Sequence, residues 1–314
     1  MYDCVIIGGG PAGLTSAIYT ARAGLSVLLI ESEVLGGRTL TTPLIENIPG
    51  FKEISGEDFS AKMSEQVEYQ FNKNGKSKYS ESIEVVTEII VIDKPEELKN
   101  TFIVKTDLGN QYECKSVIIA SGTTPRLLNI PGEEDLIGKR LHFCVTCDGP
   151  LYEGKEVIVI GGGNSAVTEA IDLAKICKKV TIIQDLKYLT AENTLVKTLK
   201  DLDNVEIICD TIPKYYFEEN GKPGLAFENY RDELVKLSAD GIFLAIGFVP
   251  NTKAFYGAVS VDAKGRIIVA DKDQSTTTKG IFAAGDCTDD GFNQIVVACG
   301  NGAIAAMSAI KYVN

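Results

Sequence analysis

Cys144 and Cys147, at Cys-x-x-Cys spacing, are the residues of this chain best suited to do chemistry, and an acid, Asp148, follows them directly. The spacing permits a small disulfide ring or two ligands to a metal ion. A zinc site needs a second ligand pair. No other Cys or His pair has that spacing, and His142 is the only histidine. The reading is a redox-active dithiol, with a pair of buried structural thiols as the alternative. A thiol in this arrangement can have a lowered pKa, and the thiolate is the form that attacks a disulfide. Each thiolate released needs a proton, so Asp148 is expected to act as acid/base. Its alternative role is a helix N-cap. His142 is expected to be a packing or surface residue, with a catalytic base as the alternative. Six other cysteines, Cys4, Cys114, Cys177, Cys209, Cys287 and Cys299, are scattered singly. They are expected to be small buried hydrophobes in a reducing compartment.

A second constellation is a Gly-rich turn. Gly8-x-Gly10-x-x-Gly13, with Pro11 and Ala12 inside it, follows an apolar strand at 4–7 and opens a helix at 14–23. Such glycines allow a tight turn, close backbone approach to a pyrophosphate, and helix–strand packing. The helix N-terminus offers unpaired N–H groups and partial positive charge to phosphates. Glu31 ends the next strand, at 26–30, 23 positions after Gly8. A carboxylate there can accept both hydroxyls of an adenosine ribose.

The elements that must position these residues are duplicated. YDCVIIGGGPAG at 2–13 is matched by KEVIVIGGGNSA at 155–166, followed by a helical stretch at 167–175 and a strand at 180–183. These are two βαβ units with parallel strands. The expected fold is α/β, with two Rossmann-like, three-layer dinucleotide-binding domains, the second inserted in the first. A strand at 117–122 and a matching strand and turn at 242–250 flank the insertion, 123–132 reads as a linker, and 279–286 is again strand into turn. Domain one is expected at 1–121 and 248–314, domain two at 122–247. Residues 83–114 suggest a small antiparallel meander around a Pro95-Glu96-Glu97 turn.

Composition sets bounds. The chain has 314 residues, 45% hydrophobic and 24% charged, which suits a globular protein of two domains. A net charge of −12 argues against nucleic acid and anionic membrane surfaces as partners. No uninterrupted apolar run has the roughly 18 residues of a membrane helix. The first strand begins almost at Met1 without a basic leader, so a cytoplasmic location is expected.

The chain resembles the low-molecular-weight thioredoxin reductases along essentially its whole length. The resemblance is carried by GGGPAG at 8–13, GGRTLTTPLIENIPGF at 36–51, ASGTTPR at 120–126, CVTCDG at 144–149, GGGNSAVTEA at 161–170 and GIFAAGDCTDDGFNQ at 280–294. It implies FAD in the first site. There the turn residues Gly8 to Gly13, with Glu31, Gly37, Arg38, Asn47 and Gly122, would hold the cofactor. Asp286 would bind its ribityl chain, and Gln294 and Ile295 would meet the pyrimidine edge of the ring. The family usually has Gln at Arg38 and Arg at Asn293. The resemblance further makes Cys147 the thiol facing the flavin, Cys144 the attacker of an external disulfide, and Asp148 the proton carrier. It implies thioredoxin as partner and a homodimer. The inserted domain is expected to rotate on its linkers, because the dithiol must reach both the flavin and an external protein.

The second site departs from that family. Gly161-x-Gly163-x-x-Ala166 is intact, but the position matching Glu31 is Gln184, also 23 residues on. Where NADPH-using members carry His-Arg-Arg and a further Arg, this chain reads Gln184-Asp185-Leu186-Lys187-Tyr188-Leu189-Thr190. Asp185 would repel a 2′-phosphate. The site is expected to be vestigial, as in the ferredoxin-dependent branch of the family, whose members take single electrons from reduced ferredoxin. The alternatives are NADH binding through Asp185 and atypical NADPH binding. The expected activity is reduction of thioredoxin by FAD through the dithiol. A flavin dithiol oxidase and a non-turnover flavin redox sensor are the rival readings.

Overall fold

A computed structural model describes residues 1–93, 99–270, 272–289 and 292–314. The expected Pro95-Glu96-Glu97 turn lies outside the described residues. The chain divides into two compact units, Met1–Leu40, Ile48–Thr124 and Val249–Asn314 in one, and Thr41–Asn47 and Pro125–Phe248 in the other.

In the first unit, Tyr2–Ile7 is a central strand, parallel to Val27–Ile30 on one side and to Gln111–Ile119 on the other. Ile281–Ala283 adds in parallel to Gln111–Ile119. These strands are buried on both faces, as parallel sheets are. Val5, Ile7, Leu28, Ile30, Val117 and Ile119 form one core with Phe102, Phe255 and Ile267. Thr101–Thr106 continues the same sheet antiparallel to Gln111–Ile119, and Val86–Ile92 adds antiparallel to Thr101–Thr106. The meander expected at 83–114 is thus an extension of the central sheet, because its third strand runs on into the parallel core.

Two helices of this unit pack on each other. Pro11–Arg22 follows the Gly-rich turn, and Ile295–Val313 closes the chain. Small residues allow close approach: a Cβ added at Gly302 would stand 2.2 Å from the Ala12 carbonyl oxygen. The Ser16 hydroxyl donates to Gly302 O across the pair at 2.9 Å. By length and composition alone Ile295–Val313 could cross a membrane, with mean hydropathy 1.4. The sequence hides this because Asn301, Ser308 and Lys311 interrupt the run. Its small face, Ala298, Ala305, Ala306 and Ala309, is buried within the protein.

The second unit repeats the plan. Val205–Ile208, Lys179–Ile183, Glu156–Ile160, Gly241–Leu244 and Leu141–His142 form a parallel sheet in that order. Helix Asn164–Ala174 covers one face through Ala166, Val167, Ala170 and Leu173. An antiparallel sheet of Ile212–Glu219, Lys222–Glu228 and Leu234–Ser238 contributes Tyr216, Leu225 and Phe227 to the other. In the stretch expected as strand and turn at 242–250, the strand is Gly241–Leu244, Gly247 turns at φ +97°, and Phe248–Pro250 is a further short strand.

Candidate functional site

The first unit gathers most of the predicted cofactor residues. Gly8 has φ +105°, and a Cβ there would lie 2.3 Å from Ala120 O. A Cβ at Gly13 would lie 1.8 Å from Gly8 O, so both glycines are required by close packing. Gly10 differs: its Cβ position has no atom within 4 Å. Gly10 is also the N-cap of Pro11–Arg22 and offers no side-chain cap. The helix N-terminus therefore faces open space, which suits a phosphate.

Glu31 closes one side of the turn. Its carboxylate accepts the Gly9 N–H, and its other oxygen accepts Ser32 N–H at 2.6 Å and Glu33 N–H at 3.1 Å. Gly37 lies over the turn, its Cβ position 3.2 Å from Gly10 Cα. Arg38 Nη1 donates to Thr123 Oγ1 at 3.0 Å and to Asp286 Oδ2 at 2.9 Å. Gly285, just before Asp286, packs on Ala12 and on Ala298. Ala298 N–H in turn donates to Gln294 O at 2.9 Å. Burial holds the Asp286 carboxyl above its usual range, opposed by the Arg38 charge. Gly122, at φ +61°, is open. Turn, carboxylate, guanidinium and the start of the last helix together could hold an extended dinucleotide. Asn47 lies in the short segment that groups with the second unit.

In the second unit, Cys144 and Cys147 form a disulfide with Cα atoms 5.3 Å apart. Cys144 is the N-cap of the one-turn helix Val145–Asp148, and its Sγ accepts the Cys147 N–H at 3.2 Å. Asp148 makes no capping hydrogen bond to the turn Gly149–Tyr152 that follows it. Its Oδ2 instead lies 3.1 Å from His142 Nδ1. Its Oδ1 is buried without a protein hydrogen-bond partner among the described residues.

His142 is buried between Asp148 and the Tyr152 hydroxyl, 2.7 Å from its Nε2. Its ring also lies 5.4 Å from that of Phe243. Its burial and ring contacts are those of the packing residue expected, and both ring nitrogens are engaged as well. The signal was local: a histidine at a strand end, six positions before the acid, is returned to it by a single helical turn.

Burial pushes the six other thiols up, Cys4 to about 12, and Cys177 and Cys287 to about 11, which leaves them protonated and inert at neutral pH. Cys114, Cys209 and Cys299 are raised for the same reason.

The second Gly-rich turn copies the first. A Cβ at Gly161, φ +131°, would meet Ala245 O at 2.6 Å. Gln184 stands where Glu31 does: a Cβ at Gly162 would meet its Cδ at 2.5 Å, as one at Gly9 would meet Glu31. Gln184 is buried. Thr190 and Ala191 both donate backbone N–H to Gly162 O, at 2.7 and 3.0 Å. A cleft of about 500 Å³ adjoins this turn, lined by Gly161, Gln184 and Asp185, with Arg126 as the cation among its described lining residues.

Residues 2–302 match one family throughout. The chain belongs to the pyridine nucleotide-disulphide oxidoreductase family. Within that family it is 38% identical over 318 residues to a 34.2 kDa protein of the rubredoxin operon of Clostridium pasteurianum, covering 99% of this chain and 97% of that one. It is 41% identical over 313 residues to a component of the alkyl hydroperoxide reductase of Staphylococcus aureus, but spans only 59% of that relative's length. Thioredoxin reductase from Streptococcus pyogenes superposes with TM-score 0.89 at 35% identity, covering 99% of this chain and 98% of that one. The enzyme from Giardia duodenalis gives 0.87 at 31% identity, with 99% and 98% covered. This member of the family is thioredoxin reductase-like in sequence and fold.

Proposed function

We propose that this protein binds FAD in its first unit and reduces thioredoxin through Cys144 and Cys147, taking electrons from reduced ferredoxin rather than from NADPH. The observation that carries the reading is the pairing of an intact Cys-x-x-Cys-Asp with an altered second nucleotide turn, where neutral, buried Gln184 and acidic Asp185 stand. NADPH needs cations at its 2′-phosphate, because charge-assisted hydrogen bonds supply much of that selectivity.

The residues that would hold FAD are Gly8, Gly10, Pro11, Ala12, Gly13, Glu31, Gly37, Arg38, Asn47, Gly122, Asp286, Gln294 and Ile295. When bound, FAD accepts electrons singly and delivers a pair to a disulfide. The chain's own part is thiol chemistry. The Cys144 thiolate attacks one sulfur of the partner disulfide, and a mixed disulfide forms as one partner thiolate leaves. Cys147 then attacks Cys144 Sγ, which closes the ring and releases the second partner thiolate. Asp148 supplies protons to leaving thiolates and takes them from attacking thiols. A homodimer is part of the reading, as the commonest closed assembly of soluble enzymes.

The test is anaerobic spectroscopy of the purified yellow protein after separate addition of NADPH, NADH and reduced ferredoxin. Bleaching by ferredoxin alone, followed by reduction of thioredoxin, is expected. Fast bleaching by a nucleotide would overturn the choice of donor. Asp185 beside the cleft favours NADH over NADPH in that event, since a carboxylate accepts ribose hydroxyls and repels a 2′-phosphate.

A further inference from the structure

Asp148 stands one peptide from Cys147, yet its side chain is only 8% exposed. Reduction of one disulfide to two thiols consumes two electrons and two protons, so protons must reach a nearly closed acid. Asp148 Oδ2 meets His142 Nδ1 at 3.1 Å, and His142 Nε2 meets the Tyr152 hydroxyl at 2.7 Å. A carboxylate at Nδ1 fixes the ring proton there and leaves Nε2 to accept the phenolic O–H. Beyond the phenol stands the exposed Arg140, whose charge opposes the upward push of burial on Tyr152. Asp240 and Lys155 are the other charges facing Tyr152.

We propose that His142 and Tyr152 are positioning residues that relay protons between Asp148 and solvent at Arg140 during dithiol–disulfide exchange. The inference rests on the thiol chemistry proposed above. A leaving thiolate takes the proton of Asp148. His142 passes its Nδ1 proton to the Asp148 carboxylate and accepts the Tyr152 proton at Nε2; Tyr152 is itself only 3% exposed, so its phenol is reprotonated by a water admitted beside the exposed Arg140. The opposite sequence carries off the proton of an attacking thiol. One Asp148 oxygen is tied to the relay, while the buried Oδ1, without a protein partner among the described residues, is left for sulfur.

The experiment uses the purified protein, its dithiol reduced with excess dithiothreitol and desalted anaerobically. It is mixed with an alkyl disulfide, bis(2-hydroxyethyl) disulfide, or with an aryl disulfide whose thiolate leaves without a proton. Loss of free Cys144 and Cys147 thiols is followed by quenched alkylation. His142→Phe keeps the aromatic packing on Phe243 but carries no proton. It is expected to slow the alkyl reaction at least about tenfold more than the aryl one, within the range of general acid catalysis. Tyr152→Phe, the milder change, is expected to show the same selectivity to a smaller extent. In an Asp148→Asn background His142→Phe is expected to add nothing. Equal slowing of both disulfides, no slowing, or a full further loss in that background would overturn the relay. Wild-type protein that reduces the alkyl disulfide but not thioredoxin would overturn the functional reading alone.

Discussion

Arg38 Nη1 and Asp286 Oδ2 lie 2.9 Å apart although 248 positions separate them in the chain. Both groups are half-buried, and burial disfavours both charges, raising the Asp286 carboxyl and lowering the Arg38 guanidinium. Each charge is therefore tolerated because of the other. In Arg38→Gln the carboxylate loses its cation. Below the carboxylate range Asp286 is protonated and the substitution costs little. As pH rises through its raised pKa, the unpaired charge appears and stability falls. A loss of about 1–3 kcal/mol is expected at pH 8. The difference in melting temperature from wild type should be larger at pH 8 than at pH 4, read by thermal unfolding of flavin-free protein.

The glycines of the first turn, with Gly302 of the last helix packed on it, separate into those held by close packing and one that faces open space. Gly13→Ala and Gly302→Ala place a methyl group against backbone oxygen at 1.8 and 2.2 Å, and each is expected to destabilise by about 1–3 kcal/mol. Gly10→Ala enters open space at an ordinary φ of −75°. Its flavin-free stability should lie within about 0.5 kcal/mol of wild type. Its flavin content on purification should nevertheless fall, because the methyl group stands at the free helix N-terminus. Chemical denaturation together with the ratio of flavin to protein absorbance distinguishes the two effects.

Periodicity and glycine spacing made the duplicated βαβ units legible, because a parallel strand buried on both faces is a short apolar run and its turn demands glycine. The helix boundaries read less well: Pro11 and Asn164 begin helices three residues before the apolar pattern starts, since the first turns are built from Pro, Gly, Ala, Asn and Ser, which carry no apolar periodicity even where Ala12, Gly13 and Ala166 are buried. The antiparallel sheet from Ile212 to Ser238 was not legible at all. Its strands mix exposed and buried positions and include Pro213 and Pro223, so neither alternation nor a continuous apolar run marks them. Cys144, Cys147 and Asp148 announced themselves through spacing. His142 did not, because a lone histidine acquires meaning only from what the fold places at its two nitrogens.

The six unpaired thiols provide a pH test. Thiolate forms of Cys4, Cys177 and Cys287 require pH near 11 or above, because burial in apolar surroundings penalises the charge. Brief iodoacetamide treatment of the reduced protein at pH 7.5 is expected to modify Cys144 or Cys147 and to leave the other six unmodified in peptide mass analysis. Rapid labelling of Cys209 or Cys299, the two half-buried thiols, would count against this.

The altered second turn can be challenged by rebuilding it. Asp185 and Leu186 are exposed and lie directly after buried Gln184, on the loop that returns to Gly162. In Asp185→Arg/Leu186→Arg a repelling carboxylate is removed and two guanidinium groups are added where the resembled NADPH-using members carry theirs. Because both positions face solvent, the fold should be unaffected. Each charge-assisted contact to a 2′-phosphate contributes about 1.5–3 kcal/mol, so NADPH affinity is expected to rise at least about tenfold and to exceed that for NADH. Titration calorimetry of wild type and variant with both nucleotides measures this. A variant that still binds neither would place the obstruction at Gln184 and the Thr190–Ala191 backbone closing on Gly162, rather than in missing charge. Gln184→Glu added to the same variant would then test whether a ribose acceptor is the remaining lack.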